Sequence, residues 1–177
     1  MVHTEIDNLQ KKMAAVKPEK SFDMHQGLKT AVIRILHLFL TNESLKEDVQ
    51  AEFCSIVENY DERFNNIISI DTNMALTLLP WLRHLPGPHG KLVQELQLYQ
   101  NKLTDFLLNP SKTKIWKQNG KSLLGTLLAE QEVDDRITEE SIKGVIIDTI
   151  VAGFLTTTGF LSGFFLLMLH HPDIQQR

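Results

Sequence analysis

Ile146-Ile147-Asp148-Thr149-Ile150-Val151-Ala152-Gly153-Phe154-Leu155-Thr156-Thr157 overlaps a longer run, Thr149 to Leu169, that holds no charged residue. Thr138 lies upstream as a candidate N-cap, with Glu139 and Glu140 where a helix dipole favours negative charge. No proline lies between Thr138 and Pro172. One helix from Thr138 to about His170 is therefore predicted, with Pro172 opening the next element. Such a helix is either the central helix of a large core or, at about 20 apolar residues, long enough to span a bilayer.

Working outward, the helical period recurs and strand-like alternation is nearly absent. Asp23, with Gln26 three residues on, reads as a capping box. The helix it opens carries Leu28, Val32, Ile35, Leu36 and Phe39 to about Leu40, apolar nearly all round and so expected to be buried. Ser44 and Glu47 read as a second box before a helix with Leu45, Val49, Phe53, Ile56, Tyr60 and Phe64 on one stripe. A break is expected at about Ser69 to Gly90, where Pro80, Pro86, Pro88 and two glycines forbid a continuous helix. The next helix places Leu92, Leu96, Tyr99, Leu103 and Phe106 on one side and stops at Asn109-Pro110. A basic linker (Ser111-Lys112-Thr113-Lys114), a short helix from about Leu123 to Glu130 and a charged loop to Arg136 complete the approach to Thr138. The fold class is thus all-α. Residues 1–21, polar and closed by Pro18, are expected to be weakly ordered, and 22–177 to form one helical domain.

The totals narrow the function. Of 177 residues, 42 % are apolar and 23 % charged, an ordinary globular balance that argues against disorder. The net charge of -4 comes with interspersed signs and no basic stripe, so nucleic acid is not an expected partner. A single cysteine, Cys54, excludes a disulfide scaffold and any multi-cysteine metal site. His84 and His89 have no carboxylate or cysteine close by in sequence, and no metal site is predicted. The opening residues lack the apolar region of a signal peptide or anchor.

The opening stretch, followed downstream by Leu169-His170-His171-Pro172-Asp173-Ile174-Gln175, resembles the long central helix of the cytochrome P-450 superfamily. There an Ala/Gly-Gly-x-Asp/Glu-Thr-Thr/Ser pattern precedes a His-Pro phrase at a similar distance. Pro80-Trp81-Leu82 and Leu85-Pro86-Gly87 resemble the loop between the family's two lid helices in microsomal members. Leu123 to Leu128 and Ile137 to Ile142 resemble the approach to the central helix. The resemblance covers roughly residues 22 to 177.

The resemblance implies a partial P-450 fold: lid helices, connecting loop and distal helix, without the proximal half. It implies a haem (heme) cofactor that activates dioxygen and inserts one oxygen atom into an apolar small-molecule substrate, with a reductase as electron donor. It places Ala152, Gly153 and Phe154 on the distal haem face, and gives Thr156, with Thr157, the oxygen-activation and proton-relay role. It implies the cytosolic face of the endoplasmic reticulum membrane, with membrane-surface contact. Several family features are missing. Leu155 stands in place of the acid. The Phe-x-x-Gly-x-x-x-Cys-x-Gly ligand phrase, the Glu-x-x-Arg pair and the Trp-x-x-x-Arg phrase are absent; Trp81 is followed four on by Leu85, Trp116 by Gly120. The chain is thus expected to be a truncation, a partial gene model or a decayed copy, and not competent as an enzyme alone. Two other readings stand beside it: a small membrane protein with one spanning helix near 149–169, and a haem-free helical interaction remnant.

Overall fold

The fold is that of a computed structural model, which describes residues 2–16, 21–110, 113, 114, 116 and 121–175. Pro18, Ser111, Lys112, Gly120 and the end residue Arg177 lie outside the described residues. The described elements are α1 (Val2–Ala14), α2 (Met24–Thr41), α3 (Glu47–Ile68), α4 (Ile70–Leu78), a 3-10 turn (Pro80–His84), α5 (Pro88–Leu107), α6 (Leu123–Glu130), α7 (Glu139–His170) and the short α8 (Pro172–Gln175). No strand occurs among the described residues, as the all-α reading expects.

Two long helix pairings make the body. α2 lies along α7, and α3 along α5, while α1 and α6 both pack on α2. The amphipathic stripes meet in one core. Val32, Ile33 and Leu40 of α2, Phe53, Val57 and Tyr60 of α3, and Leu103 and Leu107 of α5 close on Ile142, Ile146, Ile150 and Phe154 of α7. Trp116 and Leu124 fill its edge.

The caps are partly those read from the sequence. Asp23 Oδ1 accepts from Gln26 N at 3.0 Å and starts α2, but the Gln26 side chain donates to Glu58 Oε1 instead of closing the box. Thr138 caps α7, accepting from Ser141 N at 3.1 Å. The Ser44/Glu47 box does not form: the N-cap of α3 is Lys46, with no side-chain cap bond. Leu45, 3 % exposed, draws the connecting chain into the core, and Ser44 is left two residues outside the helix.

Two further departures have local causes. The predicted break at 69–90 is helical over its first half, because all its prolines lie at Pro80 and beyond, and α4 contains neither proline nor glycine. Only Ser69, at ψ 144°, separates α3 from α4. The N-terminal segment carries α1, held to the body by Glu5. That carboxylate is buried and receives Arg34 Nε and Nη2 of α2 at 2.5 and 3.0 Å, while Arg34 Nη1 donates to Gln50 of α3.

Glycine substitutions separate crowded from open positions. A Cβ at Gly125 would lie 2.5 Å from the Trp116 carbonyl oxygen, a backbone atom that cannot swing aside. Gly125→Ala is expected to cost about 1–3 kcal/mol. At Gly144 in α7 nothing lies within 4 Å of the added Cβ. Gly144→Ala should stabilise by about 0.5–1 kcal/mol through the unfolded chain. Thermal melts of the two variants should therefore move in opposite directions.

Candidate functional site

The candidate residues all lie on α7, and the helix divides them. Successive residues turn by about 100°, so positions four apart share a face. Ala152 and Thr156 are such a pair, and both are exposed. Thr156 Oγ1 donates to the Ala152 carbonyl at 2.5 Å. This back-bond occupies a carbonyl of the helix ladder and leaves the hydroxyl's lone pairs facing outward. Thr157 is exposed further round the helix. Gly159 and Gly163 follow on the bare side, and a Cβ added to either meets nothing within 4 Å. Asp148, also exposed, stands one turn before Ala152 on the same ridge.

Gly153 and Phe154 point elsewhere. A Cβ at Gly153 would lie 2.5 Å from Leu36 Cδ2, so this glycine admits α2 rather than a ligand. Phe154 is 2 % exposed and belongs to the core. The structure therefore brings Ala152 and Thr156 together on an open ridge, and sets Gly153 and Phe154 in the contact that anchors the helix behind it. Leu155, partly buried, offers no ionisable group beside the ridge.

Sequence reasoning did not single out Thr158. It is 4 % exposed, and its Oγ1 is buried with no hydrogen-bond partner. A buried hydroxyl without a partner loses its hydration without compensation. Thr158→Val is expected to leave stability unchanged or raise it by about 1 kcal/mol. Thr41→Val should do the reverse, because Thr41 Oγ1 donates to His37 O at 2.8 Å and accepts from Glu43 N at 3.2 Å. Urea denaturation of both variants checks the pair.

The ridge of Ala152, Gly159 and Gly163 is low, with the Thr156 and Thr157 hydroxyls exposed beside it, and leaves room for a flat group to approach. The chain's cysteine does not fit the thiolate side. Cys54 is half-buried on α3 and packs against the core. Burial pushes its thiol up from the ordinary value; Glu58 adds to this, and Arg34 and Lys12 oppose it. A thiol so placed resists becoming the thiolate that iron ligation requires. Among the described residues no group of three His, Cys, Asp or Glu could hold a metal.

The sequence matches the cytochrome P-450 family over residues 1–177. This chain belongs to the cytochrome P-450 family. Among curated relatives, cytochrome P-450 2D27 of Mesocricetus auratus is 32 % identical over 108 residues, which is 58 % of this chain and 22 % of the relative. Cytochrome P-450 2D26 of Rattus norvegicus and cytochrome P-450 2D6 of Homo sapiens are each 30 % identical over 108 residues, with the same coverage. The matched stretch thus spans about a fifth of these relatives.

Proposed function

We propose that this chain is the distal, central part of a haem-dependent monooxygenase and that it is not catalytically competent alone. The observation that carries this is the Ala152–Thr156 pair on the open ridge of α7. When bound, haem would supply the dioxygen chemistry. Ala152 keeps the ridge low so that a flat group approaches the backbone. Thr156 holds its hydroxyl against the Ala152 carbonyl, where its oxygen can accept from a water; turning the hydroxyl off that carbonyl would free its proton to pass on. Thr157 extends the hydroxyl surface round the helix. Gly153 and Phe154 support the ridge from behind by fixing α2 and the core. The whole protein would act on an apolar substrate and take electrons from a reductase.

The same reading puts the whole protein at the cytosolic face of the endoplasmic reticulum membrane. Ile70, Met74 and Leu78 of α4, with Trp81 and Leu85, are all exposed, and Arg83 and Lys91 flank them. Apolar side chains with a tryptophan and bordering cations suit a lipid surface.

The experiment is to sequence the transcript on both sides of this reading frame and to titrate the purified chain with haem under carbon monoxide. Coding sequence that continues into Glu-x-x-Arg and then Phe-x-x-Gly-x-x-x-Cys-x-Gly is expected, with no haem-thiolate absorption band from the chain alone. A stop codon directly after Arg177 would overturn the enzyme reading for this product. A thiolate band that disappears in Cys54→Ser would overturn the claim of incompetence.

One observation favours a second reading. α7 is the one described helix long and apolar enough to cross a membrane, and Phe160, Phe164, Leu166, Leu167 and Leu169 in its later turns are exposed. Carbonate extraction distinguishes the two, since a spanning helix keeps the chain in the membrane pellet.

A further inference from the structure

A recess of about 650 Å³ lies between α2 and α6, away from the α7 ridge; no residue of α7 lines it. Its walls include Ile35, Leu36 and Phe39 of α2 and Leu123 of α6, with Lys121 and Ser122 at the entry to α6. Phe39 is 60 % exposed, although its neighbours Leu38 and Leu40 are buried. A large aromatic ring thus stands bare on a helix whose adjoining residues face the core. Lys121 is exposed, and among the described residues it is the only charged side chain in the lining, with no carboxylate beside it there. The recess is within the size range of small-molecule sites, and its lining joins apolar walls to a few polar side chains, Asn42, Lys121, Ser122 and Thr126. A lysine stem can lie along such a wall while its ammonium reaches the mouth. An uncompensated cation beside apolar surface selects an anion with an apolar tail, because the attraction is stronger there than in bulk water.

We propose that this recess binds a single-chain alkyl carboxylate, a fatty-acid anion, with its carboxylate at the Lys121 ammonium and its chain along Phe39, Ile35 and Leu36. The site is independent of haem and of the ridge that carries the proposed oxidation. Its inner wall nevertheless touches the same helix contact: Leu36 is the residue an added Cβ at Gly153 would meet. A tail lying on Leu36 would therefore press on the turn of α7 that bears Ala152.

The test is calorimetric titration of the whole chain with octanoate, decanoate and dodecanoate below their micellar range, with dodecanol as the uncharged comparison. One molecule should bind per chain, with affinity rising about fourfold per added methylene. Dodecanol should bind at least tenfold more weakly than dodecanoate. Lys121→Glu, a change at an exposed position, should weaken dodecanoate binding at least tenfold with its melting temperature unchanged, and Lys121→Arg should retain binding. Equal affinity for dodecanol and dodecanoate on the unmodified chain would overturn the proposal without relying on any variant. Binding of several molecules per chain that persists in Lys121→Glu would overturn it too, and would assign the uptake to the bare turns of α7.

Discussion

Replacing Phe53 with alanine is expected to cost about 3–5 kcal/mol, the range for deleting a fully buried aromatic side chain. Phe53 is 1 % exposed and belongs to α3, yet its ring meets two other helices. It lies edge-on to His37 of α2 with centroids 5.4 Å apart, and stacks on Phe106 of α5 at 4.8 Å. One side chain therefore joins the α3–α5 pair to α2, and its loss opens a cavity where three helices converge. Phe160→Ala, at a side chain 73 % exposed, should change stability by less than about 0.5 kcal/mol. Chemical denaturation of both variants is the check; equal effects would place the core elsewhere.

Arg34→Ala is expected to cost about 3 kcal/mol, with the loss falling first on α1. The Arg34 side chain is 17 % exposed and the Glu5 side chain 6 %, so neither charge is fully hydrated. The two-point bond to Glu5 is the main cause that holds Arg34 above its ordinary value, against the opposing effect of burial. Removing one member of a buried ion pair strands the other, and that penalty, more than the bond itself, sets the size of the effect. α1 can relieve it by leaving α2 and returning Glu5 to water. Amide hydrogen exchange should therefore show α1 amides exchanging at the rate of an open chain in Arg34→Ala, while α3 and α5 stay protected. Arg34→Ala paired with Glu5→Ala should recover part of the loss, because no charge is then left stranded.

Much of this architecture could be read from the chain because its causes are local. The stripe Phe53, Ile56 and Tyr60 is a three-and-four spacing on one helix, and those side chains are buried as the spacing requires. Asp23 and Thr138 act within three residues, so their caps were visible too. The Glu5–Arg34 pair was not, because it joins residues 29 apart in a segment with no apolar pattern to flag it. Ser44 misled for a related reason: its own spacing to Glu47 is right, but burial of Leu45 decides where the helix starts. The candidate site divides the same way. The four-residue interval between Ala152 and Thr156 places them on one side whatever surrounds the helix. Which way Gly153 and Phe154 face depends on where α2 lies, and Leu36 approaches from 117 positions upstream. Thr158 is a tertiary effect as well: a threonine reads alike in sequence whether its hydroxyl has a partner or not.

The burial of α7 ends with Thr158, and this makes the helix a cantilever. From Ile142 to Thr158 one side is buried against neighbouring helices, and the 2.8 Å bond between His25 Nδ1 of α2 and Ser162 Oγ extends the hold by one more turn; from Gly163 to His170 an arm of about 12 Å projects, at 1.5 Å per residue. Gly163 at the clamp's edge removes side-chain bulk where bending stress would be greatest. Thermal motion should thus concentrate just past Ser162, and a load placed on the arm would be felt at that root, within two turns of Thr156.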